Sequence, residues 1–403
     1  VVPKKTVVEV EKHERPIFTG PINARQYAVV ESFRHAWRGY REHAWGHDNL
    51  KPVSGMAFDW FSLGLTIVDS LDTAYIMGLT EEFEEGKQWI KNELVFTKNK
   101  DVNFFEVTIR VLGGLLSCFH LSEDRMFLTK AIDLGDRLMA AFSSPSGIPY
   151  SDVNLGERTA HAPEWSHYST TAEVTTVQLE FRELSRASSN PAVSEKIHHL
   201  PKKHGLVPIF INPNTGHFLP HATITLGAFN PKMDHLTCFL PGTLALGHAN
   251  GLPDWHMTMA EELLYTCYLT YAAHPTFLAP EITHFYLVTE DMYTKTADSH
   301  TLLRPEFVES LWYMYQITGN TTYQDWGWQI YQGFEKYAKV PNGYTSLANV
   351  KVEKPVQRDM MESFFLSETL KYLYLLFSDD RFTIDLSKYV INSEAHPLPI
   401  HKN

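Results

Sequence analysis

Apolar side chains recur at spacings of three and four along most of the chain. Between Ala24 and Tyr40 they fall at Tyr27, Val30, Phe33, Trp37 and Tyr40, which lie on one face of a helix. The same period predicts helices over residues 63–78, 104–121, 128–142, 171–185, 257–271, 305–318, 323–337 and 361–377, and strand-like alternation is rare. Turn-rich segments separate them, among them Ser144-Pro145-Ser146-Gly147, Asn212-Pro213-Asn214-Thr215-Gly216 and Val340-Pro341-Asn342-Gly343. Residues 1–20 mix Lys, Glu, Val and Pro without a period and read as a stem or peripheral extension. Paired helices with polar connections and no low-complexity linker predict a single helical toroid over residues 21–403, with functional groups gathered at one rim.

Composition narrows the partners. The chain has 403 residues, enough for a sizeable core, and 35 Lys+Arg stand against 47 Asp+Glu, a net charge of −12. No stretch gathers basic residues into a track for a phosphate backbone, so nucleic acid is not an expected partner. Apolar runs such as 364–366 and 372–377 are too short to span a bilayer, and no signal peptide opens the chain. Membrane attachment is therefore expected only through an N-terminal anchor outside this sequence. Of three cysteines, Cys238 and Cys267 either bridge, closing a loop the chain-entropy model values at roughly 3–4 kcal/mol, or stay as buried thiols. Asn320-Thr321-Thr322 is an acceptor sequon for N-glycosylation.

Carboxylates recur in unusually aromatic company. In Phe104-Phe105-Glu106-Val107-Thr108-Ile109-Arg110, Glu106 and Arg110 share one helical face inside an apolar run, as an internal ion pair or as chemistry. In Leu303-Arg304-Pro305-Glu306-Phe307-Val308-Glu309, Pro305 fits the first helical position and puts Glu306 and Glu309 in the opening turn, where they also complement the helix dipole. Glu368 lies four residues beyond Phe364, so an acid and a ring share one side, a pairing that suits a stacked sugar or a plain core. Asp69, Asp72, Glu173 and Glu281 add further acids in apolar surroundings. A helical wall carrying acids and rings suits glycoside hydrolysis. There is no phosphate loop, Gly-x-Ser-x-Gly elbow or His-Glu-x-x-His.

At this point the chain resembles the class I α-1,2-mannosidases of glycoside hydrolase family 47, and most closely their endoplasmic reticulum branch. The resemblance is carried by Ser62-Leu63-Gly64-Leu65-Thr66 through Asp72-Thr73, by residues 105–116 and 172–181, by Lys232-Met233-Asp234-His235-Leu236 through Gly247, by residues 302–311, by Tyr323-Gln324-Asp325-Trp326-Gly327-Trp328, by residues 361–374, and by Asn392-Ser393-Glu394-Ala395-His396-Pro397-Leu398-Pro399. It implies an all-α (α/α)7 barrel with a small β plug, inversion at the anomeric carbon, and Ca2+. By resemblance Glu106 matches the catalytic acid and Glu306 the base that activates water. Inversion needs the two carboxyls roughly 6.5–9.5 Å apart to admit that water. Glu173, Glu281, Arg304, Phe364 and Glu368 match positions that hold mannose, with Arg110 and His235 close by. Ser393 stands where the family has a threonine that binds calcium through its carbonyl and hydroxyl, and serine keeps both oxygens. Glu309, Glu368 and Glu394 would complete the shell through water, as a hard cation prefers. Cys238 and Cys267 match the family's disulfide, and Cys118 is left as a buried thiol.

One departure is large. Where the family has an Arg, then Asp-Ser-Tyr-Tyr-Glu, whose Asp is an alternative candidate for the acid catalyst, and a stretch long enough for two helices, only Phe229-Asn230-Pro231 separates Ala228 from Lys232; the connection at 196–205 is also short. Two functions follow as expectations. One is a calcium-dependent inverting α-1,2-mannosidase, a monomer that trims high-mannose N-glycans of glycoproteins in the secretory lumen or outside the cell. The other is a mannose-binding quality-control module that turns over poorly because part of its site is absent.

Overall fold

The computed structural model describes residues 16–164, 166–190, 210–216, 231–286, 288–289 and 291–401. Most of the stem, the 196–205 connection and the link from Ala228 to Asn230 lie outside these residues. The chain divides into two compact units, one of Val1–Pro16, Glu93–Ala228 and Ser387–Asn403, the other of Ile17–Asn92 and Phe229–Leu386. Each is described by itself.

In the first unit, Phe104–Val107 runs through a π-helical turn at Thr108–Leu112 into the helix Gly113–Ser122. This stretch is long and apolar enough to cross a membrane by composition, contrary to the expectation from apolar runs, yet most of it is buried in the protein. It packs on Arg125–Leu138, which in turn packs on Gln178–Ser188, where Gly135 leaves room for Leu184. Phe104, Phe142 and Phe181 meet as the aromatic core, with Phe104 stacked on Phe181 at 5.8 Å. The hairpin Tyr389–Ile391 with Pro397–Pro399 lies against Gly113–Ser122.

The second unit holds the helices Ala24–His43, Leu65–Ile76, Thr80–Asn92, Leu240–Ala249, Trp255–Ala272, Glu306–Thr318, Thr322–Gly333 and Leu370–Leu376. Asn23 caps the first, its side chain accepting from the Gln26 backbone N–H at 3.0 Å. Glu306–Thr318 is central, contacting Leu240–Ala249, Trp255–Ala272, Thr322–Gly333 and Leu370–Leu376. The buried Asp48 carboxylate gathers the backbone N–H groups of Trp60, Phe61, Ser62, Leu63 and Leu65, fixing the turn that opens Leu65–Ile76. Cys238 and Cys267 are joined in a disulfide, and Cys118 is free and buried.

The sequence pattern differs from the structure in instructive places. Thr80–Asn92 escapes it because the helix buries only Phe83, Gly86 and Ile90. Leu240–Ala249 escapes it because Pro241, Gly242 and Gly247 break the pattern of a nearly all-apolar segment. Pro305 is the N-cap and not the first helical residue, so Glu306 opens the helix. Met361 pairs with Leu50 as a β-bridge, and the predicted helix there begins later, with a π turn at Phe365–Thr369. The helix expected over 171–185 is broken at Val177.

Lys371 and Asp72, both almost fully buried, form an ion pair at 2.8 Å. Replacing Lys371 by Met leaves the Asp72 charge buried beside an apolar side chain, and urea unfolding is expected to show a loss of about 3–5 kcal/mol. The double variant Lys371→Met, Asp72→Leu is expected to recover much of it.

Candidate active site

Local structure delivers the second unit's candidate residues to one place. The strand Lys232–Asp234 pairs with Ile282–Phe285 in antiparallel register, Asp234 opposite Ile282, so the next residue, His235, donates its backbone N–H to the Glu281 carbonyl at 2.9 Å. Leu303 adopts a left-handed φ of 65°, and the Thr369 hydroxyl donates to its carbonyl at 2.7 Å. That bend precedes Arg304, Pro305 and the helix beginning at Glu306.

Glu306, 9% exposed, is held from both sides. His235 Nδ1 lies 2.6 Å from Glu306 Oε2, and Arg304 reaches Glu306 Oε1 at 3.5 Å while donating to Glu281 Oε2 at 2.7 Å. The Tyr271 hydroxyl sits 2.7 Å from His235 Nε2. Burial, reinforced by the charges of Glu306 and Glu281, keeps the Tyr271 phenol protonated. Burial pushes the Glu306 pKa up, but the His235 hydrogen bond and the charges of His235 and Arg304 outweigh it and hold the carboxyl below its ordinary range. The Arg304 guanidinium also stands over the Phe364 ring, 5.9 Å from its centroid.

One turn along the same helix, Glu309 has the opposite fate. Burial, with the Glu306 charge added, pushes its pKa up to about 8 against the relief given by Tyr372. Among the described residues no Lys, Arg or His pairs with it. Glu368 is buried nearby, since its charge and that of Glu309 both act on the Tyr372 hydroxyl. Glu306, Glu309 and Glu368 thus form a group of acids in which one stays ionised and its neighbour is driven towards protonation.

The first unit brings together Glu106, Arg110, Glu173 and Glu394. Asn103 caps the helix by accepting from the Glu106 N–H at 2.9 Å. Arg110, on the π turn, donates from Nε to Glu106 at 2.8 Å and from its terminal nitrogen to Glu394. Glu173 has its pKa raised by burial and by the Glu106 charge. Ser393 is exposed although Asn392 and Glu394 on either side are buried. Asn392 accepts the backbone N–H groups of Glu394 at 2.9 Å and His396 at 2.8 Å, and donates to the Ile109 carbonyl and to Glu180. Among the described residues no three His, Cys, Asp or Glu side chains are placed to hold a metal ion.

Tyr271, Tyr372 and Asn392 were not among the sequence candidates. Tyr271 falls on a predicted helix one turn beyond Cys267, a spacing that core tyrosines share, and Asn392 gives no local signal because its partners are distant in the chain.

The sequence model of glycosyl hydrolase family 47 matches residues 32–230 and 221–400. An endoplasmic reticulum mannosyl-oligosaccharide 1,2-alpha-mannosidase from Homo sapiens is 49% identical over an alignment covering 94% of this chain and 64% of that protein, so the chain spans less than two thirds of it. A protein of the same name from Schizosaccharomyces pombe is 35% identical over 94% of this chain and 90% of its own length. The human alignment extends over 450 positions, more than the 403 residues present here, so that relative carries internal residues this chain lacks. The two family matches meet at residues 221–230, where the sequence departs from the family. In fold, an alpha-1,2-mannosidase from Trichoderma reesei matches with a TM-score of 0.86 at 24% identity, over 95% of this chain and all of that one, which bears out the expected all-α, (α/α)7 class. With the family model spanning both stretches and relatives of this identity along nearly the whole sequence, the chain belongs to glycosyl hydrolase family 47.

Proposed function

We propose that residues 21–403 act as one catalytic domain that hydrolyses terminal α-1,2-linked mannose from high-mannose N-glycans with inversion. The observation that carries this reading is the buried Glu306 carboxylate, kept ionised by His235 and Arg304. A general base must hold its negative charge until water presents a proton. Glu306 takes that proton as the water attacks the anomeric carbon and the glycosidic bond breaks, and Glu106, at the family's acid position, gives its proton to the leaving oxygen. The family resemblance assigns Arg304, Glu281, Glu173, Phe364 and Glu368 to holding the sugar by charge-assisted hydrogen bonds and ring contact, with Arg110 and His235 as accessory groups.

The acids also suit calcium. Glu309 is a half-buried acid with no Lys, Arg or His partner among the described residues, and Ser393 presents its hydroxyl and carbonyl from an exposed turn, so the donor chemistry is all oxygen. Ser393 would bind the ion directly, and Glu309, Glu368 and Glu394 through water. The ion supplies positive charge that offsets the acids and draws sugar hydroxyl oxygens. Relatives named for the endoplasmic reticulum, together with the Cys238–Cys267 bridge, support a place in the secretory lumen, with glycoproteins as partners in quality control. A monomer tethered by a segment outside this sequence fits that setting. The internal residues present in the human relative but not here favour a second reading, a mannose-binding module with weak turnover.

Replacing Glu306 by Gln is expected to cut mannose release from a high-mannose N-glycan by about 10²–10⁴-fold while glycan binding survives. Undiminished turnover would remove Glu306 as the base, and binding without release by the native chain would favour the second reading. Chelation is expected to stop release. Adding calcium to stripped protein is expected to raise Tm by roughly a few degrees, and less in Glu309→Gln.

The pH dependence has a definite sign. Glu306 is depressed, so its contribution to stability is present above the unfolded-state pKa and fades as pH falls through the folded value. His235→Ala removes the opposing hydrogen bond, and the acid limb of kcat/KM is expected to move up by about one to two pH units. An unmoved limb would separate His235 from the base.

A further inference from the structure

Asn320-Thr321-Thr322 is the chain's single Asn-x-Ser/Thr triplet, and the folded protein gives it an unusual setting. Gly319, at φ 74°, ends the helix Glu306–Thr318, and Thr322 opens the next. Asn320 lies exposed between them, with Oδ1 accepting the Thr322 backbone N–H at 3.0 Å. The amide carbonyl therefore serves the helix start, and the amide also bonds the Tyr323 hydroxyl, which leaves one of the two Nδ2 hydrogens uncommitted.

Beyond Tyr323 the surface is aromatic. Tyr323 meets Trp326 edge-on at 5.9 Å, Trp326 stacks on Tyr268 at 4.2 Å with an interplanar angle of 21°, and Tyr265 continues the row 6.3 Å from Tyr268 at the same angle. Tyr265 is 53% exposed, and Tyr268 and Trp326 are half-buried. Tyr268 donates to Gln329 at 3.3 Å, and Glu261 lies near enough to act on the Tyr323 phenol, so polar groups rim the rings. Because Trp326 and Tyr268 cover each other, the ring left open is Tyr265 at the end of the row, and the C–H face of a sugar can pack on it while its hydroxyls turn to the polar edge.

We infer that Asn320 carries an N-linked glycan whose sugars rest on the exposed ring of Tyr265, at the end of the row that Tyr323, Trp326 and Tyr268 begin. The inference rests on the secretory location given above. The transfer forms a bond from Asn320 Nδ2 to the anomeric carbon of an N-acetylhexosamine. It breaks that carbon's bond to the diphosphate of a polyprenyl-linked oligosaccharide, which leaves with the bonding electrons, and one amide proton passes to a base of the transferase. Oδ1 is untouched, so the helix start survives modification.

The test uses the whole chain secreted from a eukaryotic host, with glycopeptide mass spectrometry before and after peptide N-glycosidase. The peptide with Asn320 is expected to carry a hexose-rich glycan and to become Asp at that position on release. Thr322→Ala is expected to lose the glycan while keeping Asn320, with mannose release unchanged. A chain that reaches the medium with Cys238–Cys267 closed and Asn320 bare overturns the inference and leaves the hydrolase reading intact. A glycosylated chain that releases no mannose does the reverse. For the ring contact, replacing the exposed Tyr265 by Ala is expected to speed deglycosylation of the native protein by roughly 2- to 10-fold with Tm little changed. Equal rates would show that the glycan does not rest there.

Discussion

A carboxylate removed from water stays ionised only when other donors replace the water it lost. At Glu306 those donors are the His235 ring, oriented by Tyr271 from behind, and the Arg304 guanidinium, itself anchored by Glu281. Much of the second unit's architecture serves that arrangement. The strand register sets His235 beside Glu281, the disulfide ties the turn carrying Cys238 to the helix that presents Tyr271, and the bend at Leu303 starts a helix at Glu306. The carboxyl one turn later has no such clamp. Glu309 shows the cost directly, since burial and the neighbouring charge drive it up to about 8.

The same contrast separates the two acids by role. Two carboxyls one turn apart on one helix would ordinarily titrate together, and here their surroundings push them in opposite directions. One is ionised across neutral pH and suits a base; the other gains most from a cation. Difference in environment, more than residue type, distinguishes chemistry from charge compensation at a helix start.

How much of this was legible in the sequence depends on the range of the interaction. The helices with an apolar stripe, such as Ala24–His43 and Trp255–Ala272, are written in local spacing, and so is the Glu106–Arg110 pair. Thr80–Asn92 and Leu240–Ala249 were hidden because one buries little and the other is apolar nearly all round with proline and glycine inside it. The family pattern pointed to Glu306, Arg304 and Glu281, but no spacing could reveal that Tyr271 stands behind His235. The π turns at Thr108–Leu112 and Phe365–Thr369 were equally hidden, because they follow from tertiary packing that a period of 3.6 cannot encode. Both carry a candidate site residue, Arg110 and Glu368.

Asn392 shows how one neutral side chain can organise a charged neighbourhood. Its amide oxygen accepts two backbone N–H groups that would otherwise be stranded in a buried turn, and its nitrogen reaches the Ile109 carbonyl on the π turn and the Glu180 carboxyl. Burial lifts Glu180 to about 7, with the Asn392 bond working against it. Gly113 is part of the same solution, because a Cβ there would come within 2.6 Å of the Asn392 nitrogen. An aspartate at 392 would match the shape but lose both donor hydrogens and place a second carboxylate beside Glu180, so the amide is the group that satisfies every partner at once. The turn it fixes leaves Ser393 facing outward while Glu394 turns in to Arg110.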